Sequence, residues 1–534
     1  MTRVRPSAAF LLVALTATLL AGLTPAVAPR ADAAVLVPVS GAGSTWSQNA
    51  LDQWRRNVNQ FGMKVNYNGT GSSDGRNQYK NGTVDFAVSE IPYGLKDNNV
   101  VDAPPERGFA YMPIVAGGTA FMYNLKAGGK RITNLRLTGE QVAKIFTGQI
   151  KMWNDPVLTA ENPGLALPAR AIVPVVRSDG SGTSAQFTLW MSKQYPSIWT
   201  TGQTSNFPRS GNMLALAGSL GVAGYVSQNQ NEGTITYVEE SYALNTGFPV
   251  VKLLNKANYY VEPKSDNVAV ALTKATINAD LTQNLDGVYN NIDPRAYPLS
   301  SYSYMIVPTK LEKGITADKG YTLSRFAGYF LCDGQQAAPD LGYSPLPKNL
   351  VVAGLDVVKK IPGYDPAVTD ISKCKNPTFS ATSDVLKTAK NPPDCDKKGG
   401  PAQCSTGTGG AKEATPTKGG GGGTTTATPT PVPDGGGGAA ATPTPVPGVP
   451  VVDNSGGGVV PPSGVVPPST TDTGQLPGTT SQDLVATPTS LNGGTGDGMS
   501  TVLVFFAGMI FAGLVIGPPL AARRFNTPPP GGEP

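Results

Sequence analysis

The 534-residue sequence predicts an α/β body of two lobes, followed by a disordered tether and one transmembrane helix. Three observations predict this. Strand-like and helix-like apolar spacing alternate: Val84, Phe86 and Val88 recur at period two, while Trp46, Ala50, Trp54 and Val58, and again Val142, Ile145 and Phe146, mark helix faces. The patterned stretch, residues 35–371, is about 340 residues long, which suits two packed lobes. Beyond it the 64 Gly and 48 Pro of the chain concentrate, in a composition that cannot bury a core.

Taken in order, residues 1–33 read as an export signal. Early arginines precede an apolar run and the small-residue site Ala31-Asp32-Ala33. No cysteine follows the run, so a lipid anchor at the new N-terminus is excluded.

Next come three turns of one type. "GAGST" (41–45) precedes the Trp46 helix, and "GTGSSDG" (69–75) follows the strand of Val65 and Tyr67. "RSDGSGTS" (177–184) lies between the apolar run 171–176 and a helix whose packed face is Ala185, Phe187, Leu189 and Trp190. Ser and Thr are ordinary helix N-caps, so one such turn means little. Three in one body, one of them carrying Arg177, point to an anion held by helix N-termini and a charged two-pronged donor. Between the second and third turns, "VDFAVSE" (84–90) ends a strand in Glu90, a carboxylate suited to accepting the hydrogen of a protonated oxyanion.

Four cysteines follow: Cys332, Cys374, Cys395 and Cys404. An even number in an exported chain favours two disulfides. Three pairings are open, and proximity favours Cys332 with Cys374 and Cys395 with Cys404; the close spacing of a metal site is absent. Residues 391–498 are Gly-, Pro- and Thr-rich and repeat "ATPTPVP", the mark of a flexible linker. A chain of about 100 such residues spans on the order of 50–60 Å. Residues 499–522 carry no charge and are long enough to cross a bilayer, and Arg523 and Arg524 begin a tail, 523–534, that the positive-inside tendency keeps cytoplasmic.

Composition also excludes. There is no histidine, which removes the Ser-His-Asp triad and the His-based zinc sites and leaves Ser72 or Ser181 without the usual base for nucleophilic attack. The net charge of +5 gives no reason to expect a nucleic-acid partner. No phosphate-binding loop of the GxxxxGK[ST] type is present. The body is built to bind rather than to react, with no cofactor.

The motifs resemble those of the phosphate-binding proteins that serve the high-affinity phosphate ABC transporter. "GAGST", "GTGSSDG", "VDFAVSE" and "RSDGSGTS" occur in that order, joined by "PIVAGGTAFMYN" (113–124), "LTGEQVAKIFTGQIKMWNDP" (137–156) and "GYSPLP" (342–347). The resemblance covers about residues 36–360. It implies a type II periplasmic-binding-protein fold, with lobes of roughly 36–116 plus 296–375 and 117–295 within a binding domain of 34–390, hinged by two strands. It implies phosphate contacts from Thr45, Trp46, Ser72, Glu90, Arg177, Ser181, Gly182 and Thr183, with Asp179 steadying the arginine. Trp46 stands where Phe is frequent, and Glu90 where the family usually has Asp. The implied partners are inorganic phosphate and the permease subunits of an ABC importer, with the membrane reached through the C-terminal helix. The alternative is a cell-surface sensor or adhesin that retains the fold.

The expected topology is a single pass with the binding domain outside the cell. Deleting everything after Gly498 releases the protein to the medium in a fractionation assay; retention on the membrane would reassign the anchor.

Overall fold

The computed structural model describes residues 34–416, apart from 98–99, 313, 380–383 and 401–402. The expected export signal, the span 499–522, the tail 523–534 and the linker from 417 onward lie outside the described residues. Among the described residues no helix is long and apolar enough to cross a membrane.

Eight strands form one mixed sheet: β1 (Val39–Gly43), β2 (Val65–Gly69), β3 (Phe86–Ser89), β4 (Phe109–Asn124), β5 (Val173–Arg177), β6 (Leu214–Leu216), β7 (Thr234–Glu239) and β8 (Ser300–Pro308), in the order β6-β5-β7-β4-β8-β3-β1-β2. The 16-residue β4 is buried from Tyr111 to its end. Its first part pairs antiparallel with β8, and Thr119–Asn124 pair antiparallel with β7. Such a strand joins the two halves of the sheet. β1 is parallel to both β2 and β3 on one side, and β5 is parallel to β6 and β7 on the other.

The near-continuous apolar content of β4 is what a strand covered on both faces needs. β3 behaves likewise: all four of its residues are buried, so the alternation of Val84, Phe86 and Val88 is not a solvent-exposed edge pattern. Pro113 cannot donate to a ladder, and the register between β4 and β8 shifts at Ser303/Tyr304, opposite it.

Among the helices packed around the sheet are α1 (Gln48–Asn59), α2 (Ser72–Lys80), α3 (Gly139–Phe146), α4 (Gly182–Gln194), α5 (Gly218–Val226), α6 (Glu240–Thr246), α7 (Ala317–Leu331) and α8 (Lys348–Val358). α1 buries Ala50, Leu51, Trp54 and Val58; Trp46 sits just before it, equally buried. Trp54 stacks on Phe330 of α7 at 5.2 Å and donates from Nε1 to the Gly334 carbonyl at 2.9 Å. Val142, Ile145 and Phe146 are buried on α3, which Thr138 and Gln141 close with reciprocal capping bonds. α4 buries Ala185, Phe187 and Trp190, with Leu189 half-buried. One apolar core gathers β1–β3, the first part of β4, β8, α1, α7 and α8. Another gathers Phe121 and Tyr123 of β4 with α3, α4 and β7.

Part of the stretch whose composition suggested a linker is folded onto the body. Residues 391–416, apart from 401–402, are held against residues 133–136 and 250–252. Disulfides join Cys332 to Cys374 and Cys395 to Cys404. Around the second bridge, Arg136 donates to the Cys395 carbonyl at 3.1 Å and Asn134 to the Cys404 carbonyl at 2.7 Å. The Thr408 hydroxyl donates to the Thr133 carbonyl at 2.9 Å and accepts from the Val250 N–H at 3.1 Å. Each surface satisfies the other's backbone: Thr408 serves groups of the body, while Arg136 and Asn134 of the body serve carbonyls of the extension. Asp396 pairs with Lys252 at 2.8 Å, both side chains buried.

Burial pushes the Asp396 carboxyl above its ordinary value despite the ammonium beside it. The pair therefore fixes position more than it adds free energy, and the cost of breaking it is that of stranding a buried charge. Asp396→Ala should lower the unfolding free energy by about 3–5 kcal/mol, measured by denaturant titration.

Candidate functional site

The turn after β1 is held through its carbonyls and through the Ser44 N–H, which donates to the Val88 carbonyl at 2.8 Å. Tyr67 donates its hydroxyl to the Ser44 carbonyl at 2.8 Å, Tyr343 donates to that of Trp46 at 2.6 Å, and Tyr242 donates to that of Thr45. Burial raises all three phenols above their ordinary range, so they stay protonated and keep donating. The Trp46 N–H donates to the Ser44 hydroxyl at 3.0 Å, a partner within its own turn. Thr45 Oγ1 lies 2.8 Å from Ser219 Oγ and accepts from the Ser219 N–H at 3.0 Å.

Glu90 follows β3 and is 1% exposed. It forms no ion pair among the described residues, and hydroxyls satisfy it instead. Ser44 donates to Oε1 at 2.5 Å, Ser303 of β8 donates to the same oxygen, and Ser72 donates to Oε2 at 2.8 Å. Its backbone carbonyl accepts from Gln186 Nε2 of α4 at 2.6 Å.

The third turn carries the fixed positive charge. Arg177, 3% exposed at the end of β5, donates Nε to Asp179 Oδ1 at 2.7 Å and Nη2 to Oδ2, a two-pronged pair, and Nη1 to Ser219 Oγ at 3.2 Å. Burial disfavours the ionised form of Asp179, but Arg177 and the Gly218 N–H outweigh it and hold the carboxyl below its ordinary value. Ser181 caps α4 by accepting from the Ser184 N–H at 3.1 Å. The Gly182 N–H reaches across to Ser72 Oγ at 3.1 Å. The Thr183 hydroxyl is buried with no hydrogen-bond partner among the described residues. A donor so placed is costly unless something accepts from it.

The residues singled out in the sequence thus fall into two connected groups across the lobes: Ser72 with Glu90 and Gly182, and Thr45 through Ser219 with Arg177 and Asp179. The Ser181 side chain is taken by the cap and the Trp46 N–H by Ser44. Sequence reasoning missed Ser219, Ser303, Gln186 and Tyr242 as members of the site. Ser219 was within reach: "LALAGSLG" (214–221) is a fourth Gly-Ser helix start after a strand. Ser303 lies mid-strand, and no local signal marks it.

Chemically, the set offers many donors, one arginine whose charge is largely matched by Asp179, and one buried acceptor. That suits a small oxyanion carrying a proton. Among the described residues no cluster of three or more His, Cys, Asp or Glu is placed to hold a metal. A cavity of about 580 Å³ lined by Glu240, Lys252, Glu262, Lys264 and Asp396 shares no residue with the three turns.

Comparison with known proteins gives a match to the PBP superfamily domain over residues 25–333. The phosphate-binding protein PstS of Xylella fastidiosa is 34% identical over 328 residues, covering 60% of this chain and 85% of that protein. That of Pasteurella multocida is 30% identical, covering 59% and 87%. Among solved structures, a phosphate-binding protein from Stenotrophomonas maltophilia aligns at 19% identity and a TM-score of 0.46, covering 59% of this chain and 92% of that one.

Gly182 has a steric reason. A Cβ there would lie 2.0 Å from Glu90 Oε2 and 2.5 Å from Ser72 Oγ. Gly182→Ala should force the lobes apart at this point and lower stability by about 1–3 kcal/mol, the usual cost of overpacking, read by chemical denaturation.

Proposed function

The chain belongs to the PBP superfamily and, within it, to the phosphate-binding proteins. From that premise we propose that it captures inorganic phosphate between its lobes outside the cell and passes it unchanged to an ABC importer. The observation that carries the reading is the meeting of the Ser72–Glu90 pair from one lobe with the N-terminus of α4 from the other, at 3.1 Å between Ser72 Oγ and the Gly182 N–H. In this reading Thr45, Ser72, Arg177, Gly182 and Thr183 donate to phosphate oxygens, Trp46 and Ser181 complete the turns, and Asp179 fixes the guanidinium. Glu90 accepts the ligand's own hydrogen. Phosphate carries at least one proton near neutral pH, whereas sulfate has none to give, so a buried carboxylate separates the two by attraction and repulsion.

We also propose that residues 1–33 direct export and are removed, and that the segment beyond 416 tethers the body to the membrane through 499–522, with residues 523–534 in the cytoplasm. The supporting features are the uncharged span and the arginines that follow it.

Titration calorimetry of the full chain in detergent should show phosphate binding and sulfate exclusion. Arg177→Ala should lose about 1–3 kcal/mol more phosphate affinity than Ser181→Ala, because it removes a charge-assisted donor and strands Asp179 beside an anion. Equal losses would make the turn a purely structural one, and binding of neither anion would reject the reading.

A further inference from the structure

Glu90 Oε1 and Oε2 are held differently. Ser44 and Ser303 both donate to Oε1, from opposite sides of β3 in the sheet order. Ser72 alone donates to Oε2, the oxygen that lies over Gly182 at the start of α4. The sheet explains why Ser303 is there. β8 runs antiparallel to β3 with Tyr304 opposite Ser89, so one further step sets Ser303 opposite Glu90. The register shift at Ser303/Tyr304 falls at this step, and such irregularities re-aim a side chain. Ser44 reaches the same oxygen from the first turn, while its own oxygen accepts from the Trp46 N–H.

Resting on the reading of the cleft as an oxyanion site, we propose that Ser44 and Ser303 form a two-hydroxyl clamp that makes Glu90 the selectivity-determining acceptor. The clamp fixes Oε1 and leaves Oε2 to exchange partners. On binding, the Ser72 hydroxyl transfers its hydrogen bond from Oε2 to a ligand oxygen, and a hydrogen of the protonated oxyanion takes its place on Oε2. No covalent bond forms or breaks and no proton leaves its oxygen. Throughout the exchange the carboxylate keeps two donors, so it stays fixed in place while Ser72 turns away. An unprotonated oxyanion makes the same demand on Ser72 and returns nothing to Oε2. Ser44 and Ser303 are therefore positioning residues that act through Glu90.

The test is titration calorimetry with phosphate and with sulfate on the full chain in detergent, for the wild type, Ser303→Ala, Ser303→Cys, Ser44→Ala, Glu90→Gln and the double variant Ser303→Ala with Glu90→Gln, each checked for folding by thermal melting. Ser303→Ala and Ser44→Ala should each weaken phosphate about tenfold, the size expected when a donor to a charged acceptor is lost, and narrow the preference over sulfate by a similar factor. Ser303→Cys keeps the volume without a strong donor and should behave like Ser303→Ala. With Glu90→Gln in place, Ser303→Ala should change neither affinity further. Equal loss for both anions, no loss at all, or the same loss with and without Glu90→Gln in folded variants would overturn the clamp and leave the cleft's function standing. A wild type that binds neither anion would overturn the functional reading, and the clamp with it.

Discussion

The structure depends on one strand having to satisfy its backbone in two places. β4 is 16 residues long and nearly all buried, so every peptide group along it needs a partner within the protein. β8 supplies partners along the first part and β7 along the last. The change of partner falls at Gly118 and Thr119, where Gly118 pairs with Ser300 and Thr119 with Glu239. One apolar core forms before this point, and two more form after it, on Phe121 and Tyr123 and on Ala120 and Met122. The turns after β1 and β5 and the end of β3 meet across it. The site is thus a consequence of sheet continuity, and the hydroxyls and charges occupy positions the backbone has already set.

Within that frame the two carboxylates of the cleft are treated differently. Asp179 has a two-pronged guanidinium and a backbone amide, and its ionised form is favoured despite burial. Glu90 has hydroxyls, which stabilise a negative charge without cancelling it. The distinction matters for recognition. An arginine placed against Glu90 would neutralise its repulsion of unprotonated anions, whereas serine donors preserve it. In the proposed recognition of phosphate, that uncancelled charge is what would favour an anion that brings its own hydrogen.

The C-terminal extension shows how composition can mislead. Residues 391–416 contain Gly, Pro, Ser and Thr in the proportions of a linker, yet the described part of the segment closes a disulfide, buries Asp396 against Lys252 and caps polar groups near residues 133–136 and 250. Low apolar content excludes a core of its own. It does not exclude packing on a surface that already has one, provided its polar groups find partners.

How much of this was legible in the chain follows from the range of each signal. The three Gly-Ser turns, the carboxylate at the end of β3 and Arg177 with Asp179 are local patterns, written within eight residues of one another in each case, and the sequence by itself determined them and the α/β alternation around them. Helix starts and strand ends are set by neighbours, so they can be read from neighbours. The tertiary structure decided the rest. That Ser303 sits opposite Glu90 depends on the register of β8 against β3, more than 200 positions apart in the chain, and a shift of one residue would turn its hydroxyl to the other face. That the Ser219 helix start joins Thr45 to Arg177, and that the stretch after residue 390 is held against residues 133–136 and 250–252, likewise depend on surfaces brought together only by folding. Local chemistry names the groups a site can use, and long-range register and packing choose which atoms face one another.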